Sequence, residues 1–352
     1  MKAFKSLDKK NFELLIKDLL KTHVIYGPVK KEDGRVHYRK ISDFNELFLS
    51  YEGHALLPLK KFFLPEKEIL FEYEILDNKD VAIRDKLEDL EKVQRILIGA
   101  RPCDIRGIEI LDRVFISEFK DPYYETRRRN TLIIGLTCNK VAEYCFCYFT
   151  GSGPDIDTGY DLLLTDLGEK YVVRIGSERG FELVNQYSEL FEDASEDDIV
   201  ARNEIIEKLV ADLKEKDLFP LDNIYEKMVR NFNSEIWEMY GHRCLSCGKC
   251  NYVCPTCYCF DIHDELDLDA RTGRRVRVWD ACHFLSFTKV ASGEIFRKER
   301  SSRLKQRIYH KLVYSVDQIG IISCVGCGRC IEVCTADIDI RELLQKIVRE
   351  GI

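Results

Sequence analysis

Phe12, Leu15, Ile16 and Leu19 recur at i, i+3, i+4 and i+7, so the chain opens with an amphipathic helix that buries one stripe. The pattern then changes to short apolar and β-branched runs. Val24-Ile25-Tyr26 reads as a strand stopped by Gly27-Pro28, and residues 36–38, 69–75, 95–99, 131–136, 162–165 and 171–175 read as further strands. A helical pattern covers 105–115. Strands interleaved with helices up to about residue 185 predict an α/β domain, without fixing its strand order.

Between residues 182 and 240 the strand signals stop. Ile206, Leu209, Val210 and Leu213 form a second helical stripe, and Ser195-x-x-Asp198 is a capping start for it. The acidic cluster over 192–198 reads as a solvated helix entrance. Pro220 separates this helix from one over 223–231, and Gly241 is expected to end the helical region. Helices are expected again around 284–291 and 303–314.

Three residues past Gly241 the chemistry becomes specific. Cys244, Cys247, Cys250 and Cys254-Pro255 read C-x2-C-x2-C-x3-C-P, the run that holds cubane iron–sulfur clusters in bacterial-type ferredoxins. Cys324, Cys327, Cys330 and Cys334 repeat the internal spacing 80 positions later. Thiolates suit zinc as well as iron–sulfur clusters. A zinc ribbon, however, uses paired C-x2-C knuckles and not a triple run with a fourth cysteine. In two-cluster ferredoxins the fourth cysteine of each run serves the other cluster. That rule gives Cys244, Cys247, Cys250 and Cys334 to cluster 1, and Cys324, Cys327, Cys330 and Cys254 to cluster 2. Gly248 and Gly328 stand at matching positions, where a missing side chain lets backbone approach the sulfide.

The fold class is therefore an α/β N-terminal domain plus an α-helical, bacterial-type dicluster ferredoxin-like C-terminal domain. The division is 1–185 for the α/β domain, 186–240 for a helical connector and 241–352 for the dicluster domain with a long insert. The α/β domain has a cysteine set of its own. Cys103 follows one predicted strand, Cys138 follows another, and Cys145 and Cys147 come soon after. Strand ends and a nearby loop can meet at one sheet edge, where ligands usually sit. Four thiolates there would complete a third cubane; the alternative is four core or incidental cysteines. Cys257, Cys259 and Cys282 pack near the clusters or supply three ligands of a further site.

Fifteen cysteines, an odd number set at metal-ligand spacing, indicate reduced thiols in a cytoplasm and not a disulfide scaffold. The net charge of −7 argues against nucleic-acid binding through the overall field. No apolar run approaches the roughly 20 residues of a membrane span. The first residues, Met1-Lys2-Ala3-Phe4-Lys5, are not an apolar signal core. Neither G-x-G-x-x-G after a strand nor G-x-x-x-x-G-K-[ST] occurs, and no residue stands out as catalytic. His283 reads as a structural histidine. Arg127-Arg128-Arg129 and Arg274-Arg275-Val276-Arg277 read as solvated faces, or as charge that docks an acidic partner or offsets the clusters.

Several of these motifs together resemble one family. They are Arg101-Pro102-Cys103-Asp104, Cys138 with Glu143-Tyr144-Cys145-Phe146-Cys147, and Gly159-Tyr160-Asp161-Leu162. Cys254-Pro255-Thr256-Cys257-x-Cys259, Trp279-Asp280-Ala281-Cys282, His310-Lys311 and Cys324 to Cys330 belong to the same set. The chain is similar, over about residues 10 to 345, to the iron–sulfur beta subunit of soluble NAD(P)-linked hydrogenases (sulfhydrogenases) and to the corresponding iron–sulfur subunit of anaerobic sulfite reductase. Pro58 to Phe63 is closer to the hydrogenase branch. The resemblance implies an electron-transfer subunit of an oxidoreductase complex, with no catalytic site of its own. Its partners would be a flavin- and NAD(P)-binding iron–sulfur subunit and a catalytic subunit, either a NiFe hydrogenase or a sirohaem reductase. It also implies that the third cysteine set holds a [4Fe-4S] cluster. The alternatives are the same role in a sulfite or sulfur reductase, or a cluster enzyme that reduces sulfur directly. Thr335 departs from the pattern, which has Pro after the fourth cysteine.

Overall fold

The structure, a computed structural model, describes residues 4–77, 80–216 and 223–349. The expectations at Met1–Ala3 and Pro220 lie outside them. Twelve strands are present among the described residues: β1 Phe4–Asp8, β2 Val24–Lys30, β3 Val36–Lys40, β4 Lys67–Ile75, β5 Val81–Asp85 and β6 Arg95–Ala100. They continue with β7 Thr131–Leu136, β8 Leu162–Asp166, β9 Lys170–Ile175, β10 Glu192–Asp193, β11 Phe260–Leu266 and β12 Thr272–Trp279.

Eight of them form one sheet in the order β10-β1-β9-β8-β7-β6-β2-β3. Its centre is parallel: β2 beside β6, β6 beside β7, β7 beside β8. Central parallel strands are covered on both faces and so read as continuous apolar runs. Ile96, Ile98, Ile134 and Leu136 face the predicted first helix, Lys9–Leu19, and its buried Phe12, Leu15, Ile16 and Leu19. Leu97 and Ile133 face the opposite way, onto Ile105, Ile108 and Leu111 of the helix Pro102–Phe115.

β2 does not stop at Gly27-Pro28. β6 pairs only with Val24–Tyr26, and β3 carries the ladder on to Lys30. Pro28 thus lies beyond the parallel neighbour, where a missing N–H takes nothing from it.

A second sheet has the order β11-β12-β4-β5. The hairpin β11–β12 comes from the insert between the cysteine motifs, and it pairs through β12 with β4 from the N-terminal part. The C-terminal part is therefore not purely helical. The basic runs are solvated only in part: Arg129 and Arg275 are exposed, while Arg127 and Arg277 are buried. Arg277 is 2% exposed. Its Nε donates to Glu68 Oε1 at 2.6 Å, and a further arm contacts Asp121. Arg127 Nη2 forms an ion pair with the other Glu68 oxygen at 2.6 Å. Arg274 and Arg275 pair with Glu265 and Asp264 on the neighbouring strand, and Arg128 pairs with Asp112. Of these charges, Arg277 on Glu68 and Asp121 closes the seam between the insert and the N-terminal part.

The connector helix Glu196–Lys214 starts on the capping box expected at Ser195 and Asp198. The helix Ile236–Arg243 continues through Gly241, whose Cα lies against the backbone of Ser301: a Cβ would meet Ser301 Cα at 2.5 Å. Gly241 thus permits a close helix crossing instead of ending a helix. Residues 284–291 hold only a 3₁₀ turn, Leu285–Thr288. The helix expected around 303–314 runs Arg300–Tyr309, passes through a π turn at His310–Tyr314, and resumes over Ser315–Ile319.

Candidate metal centres

Each cysteine motif makes a short loop ending in a single helical turn, Lys249–Tyr252 in the first and Arg329–Glu332 in the second. Gly248 and Gly328 start those turns at φ of 74° and 77°. Cys244, Cys247, Cys250 and Cys334 line one cavity. Cys254, Cys324, Cys327 and Cys330 line a second. This is the crossed grouping that the spacing requires. Backbone amides also reach the thiols: Ser246 N donates to Cys244 Sγ at 3.4 Å and Ile338 N to Cys334 Sγ at 3.3 Å. The turn after Cys334 forms with Thr335 in place of Pro, closed by Asp337 N to Cys334 O at 3.2 Å.

The third set converges as well. β6 and β7 are adjacent and parallel, so the residues that follow them leave the same sheet edge. Cys103 sits in the first turn of the helix after β6, and Cys138 in the loop after β7. With Cys145 and Cys147 they line a third cavity. The loop carrying Cys145 and Cys147 rests on the second motif: Phe146 N donates to Gly326 O at 2.7 Å. A Cβ on Gly326 would meet Cys147 backbone at 2.7 Å, and one on Gly328 would meet the Tyr144 carbonyl at 2.5 Å. Gly328→Ala combines this collision with a left-handed φ, so it should destabilise the protein by roughly 2 kcal/mol or more. Chemical denaturation under anaerobic conditions would read it.

Buried cations surround these cavities. Arg307 borders both the first and the second, and donates to Cys250 O at 3.2 Å. Lys311 borders the second, with Nζ on Thr256 Oγ1 at 2.7 Å. Lys60, from the 3₁₀ turn Leu59–Phe62, donates to Cys257 O at 2.7 Å and Asn251 O at 3.2 Å. Among the described residues none of the three has a carboxylate partner, and Arg307 Nε has no hydrogen-bond partner at all. Arg101, fully buried beside Cys138, likewise bonds only the carbonyls of Thr137 and Tyr51. Unpaired buried charge is costly, so these sites call for an anion. A cluster held by four thiolates is one.

Those donor sets and cations fit [4Fe-4S] clusters. No three His, Cys, Asp or Glu side chains among the described residues close on a single ion; the cysteines stand around cavities, as the ligands of a multi-atom core do.

His283, read from the sequence as structural, is placed against the first cysteine set. It is 1% exposed and borders the first cavity, 4.0 Å from the sulfurs of both Cys250 and Cys282. Burial works to lower its pKa, but the Cys250 thiolate, with bonds to Cys244 and Cys282, pushes it up to about 11. Cys257, Cys259 and Cys282 pack beside the ligands. Cys282 accepts from Asn251 Nδ2 at 3.1 Å, next to Cys250 in the first motif.

Comparison with known proteins agrees with this geometry. A family described as a 4Fe-4S dicluster domain matches residues 243–338. Sulfhydrogenase 2 subunit beta of Pyrococcus furiosus is 35% identical over 328 residues, covering 93% of each chain. The chain belongs to the sulfhydrogenase beta-subunit family. The dicluster domain, with this membership, gives the protein [4Fe-4S] clusters and an electron-transfer role. The beta subunit of an F420-dependent formate dehydrogenase from Methanocaldococcus jannaschii is 25% identical over 187 residues, or 49% of this chain and 40% of that one. No helix among the described residues is long and apolar enough to cross a membrane.

Proposed function

We propose that this chain is the electron-relay subunit of a soluble NiFe hydrogenase of the sulfhydrogenase type. In this reading it holds three [4Fe-4S] clusters, works in the cytoplasm, and joins a flavin subunit that uses NAD(P)H to a catalytic subunit. The observation that carries the reading is the contact between the three cysteine-lined cavities. Cys330 and Arg307 border both the first and the second. Phe146 borders the second while its neighbours Cys145 and Cys147 border the third. When bound, the clusters supply one-electron transfer with little rearrangement.

The protein's own residues do the rest. Twelve cysteines hold the groups: Cys244, Cys247, Cys250 and Cys334; Cys324, Cys327, Cys330 and Cys254; and Cys103, Cys138, Cys145 and Cys147. Leu304, Ile308, Leu312, Leu343 and Leu344 keep water from the ferredoxin-like module. Cys247 is exposed and borders a surface cleft with Lys249, Tyr252 and His54, which gives one end of the row access to a partner.

The anaerobically purified chain should contain about twelve iron and about twelve acid-labile sulfide atoms. About eight would remove the third cluster, and a sulfide-free protein would end the relay reading. The subunits that co-purify identify the complex: a nickel–iron large subunit supports the proposal, and a sirohaem subunit refutes it in favour of sulfite reduction.

A further inference from the structure

We infer that Arg307, Lys311 and Lys60 form a positively charged cage that keeps the middle cluster, held by Cys254, Cys324, Cys327 and Cys330, reducible. The inference rests on the relay reading for the presence of that cluster, and goes beyond it by assigning positioning residues that bind no iron.

The first observation is where the charges sit. The stripe Leu304, Arg307, Ile308, Lys311, Leu312 and Ser315 has helical spacing, and all six residues are buried. Two cations thus occupy positions that apolar side chains would fill in an ordinary helix. Arg307 and Lys311 are 6% and 3% exposed, and Lys60, arriving from the sheet domain, is 3% exposed.

The second observation is how they are held. Each bonds neutral oxygen and no carboxylate among the described residues, so their charge is not spent on an ion pair. Lys311 lies in the π turn, a local widening that often marks a functional position. Its carbonyl accepts from Ser323 N at 2.7 Å, just before the second motif, and from Ser315 Oγ at 3.0 Å. Thr256 passes the contact on: it accepts from Lys311 and donates to Ser323 O at 2.6 Å. The cage is therefore tied to both motifs at once.

The third point is electrostatic. A cluster with four thiolates is a net anion, and it gains one further negative charge for each electron accepted from a neighbouring centre. No bond forms or breaks and no proton is required. Burial alone disfavours that added charge. Fixed cations offset it, and net charge and hydrogen bonding set the potential. Arg329 adds little to this field, because Asp104 neutralises it at 2.7 Å.

The test is an EPR-monitored redox titration of the full-length protein, with dithionite as reductant. The signal is assigned as the one missing from Cys254→Ala protein. Arg307→Gln and Lys311→Gln should each shift the one-electron equilibrium of that cluster toward the oxidised form by about tenfold, a potential lower by about 59 mV. Arg307→Lys and Lys311→Arg should restore most of the shift. Iron and sulfide content should stay near that of the parent. An unchanged potential in the Gln variants overturns the inference. So does loss of the cluster in the Gln and the charge-keeping variants alike, which would make the residues matter for shape and not for charge. A protein without this cluster even before mutation would instead refute the relay reading beneath it.

Discussion

Cys254→Ala should remove the cluster of the second motif and spare that of the first, although Cys254 belongs to the first motif by sequence. Iron should fall from about twelve to about eight atoms per chain, or the residual cluster should lose one iron to a three-iron form. The geometry behind this is direct. Cys254 borders the cavity of Cys324, Cys327 and Cys330, and it does not border the cavity of Cys244, Cys247 and Cys250. Its neighbourhood is that of the middle site, with Thr256 Oγ1 at 3.4 Å and Lys311 beyond it. Cys257 is buried beside Cys254, so a double variant with Cys257→Ser is the control for ligand replacement. Electron transfer from one end of the chain to the other should drop by orders of magnitude in Cys254→Ala, while the spectrum of the first cluster persists. Selective loss of the first cluster would show the crossing to be the reverse.

The cysteine arithmetic was legible because ligand spacing is a local property. Two runs of identical spacing predict both cluster sets and their crossing without any fold, and the structure brings the cysteines of each set to one cavity. The third set was half legible: Cys103 and Cys138 could be placed at strand ends, but nothing local says that β6 and β7 are neighbours. Only the parallel pairing of Ala100 with Gly135 brings those ends together. The sheet strands from β2 to β9 carried apolar periods and were read within a few residues, apart from β5. That strand is exposed throughout and offered no such period.

The hairpin β11–β12 was missed for a related reason. Its strands alternate charged residues, and a run such as Arg274 to Arg277 looks solvated until Glu68 and Asp121, more than a hundred residues away, close on it. The cage cations were missed through the same bias toward treating charge as surface. A signal was present all the same, since Arg307 and Lys311 fall on the apolar stripe of their helix. Charged residues at stripe positions of a cysteine-rich module are a usable sign that an anionic group lies inside.

Arg329→Met should be among the most destabilising single changes to this protein outside the cysteines. Arg329 and Asp104 are both completely buried; Nη2 lies 2.7 Å from Asp104 Oδ2, and Nε donates to Ala55 O at 2.8 Å. The pair joins the second motif, between Cys327 and Cys330, to the helix Pro102–Phe115 that carries Cys103. Removing the cation leaves a buried carboxylate without its counter-charge, which costs about 3–5 kcal/mol. For a chain of this size that is a melting temperature lower by about 4–7 °C, readable from anaerobic thermal bleaching of the cluster absorbance. Replacing both partners should cost much less than the sum of the single changes, because Arg329→Met with Asp104→Leu leaves neither charge stranded. The coupling between the two positions, measured as a double-mutant cycle, should be at least about 2 kcal/mol. If the two single costs simply add, the pair is not what binds the sheet unit to the dicluster module, and the contact of Gly326 and Gly328 with the Tyr144–Cys147 loop must carry that junction instead.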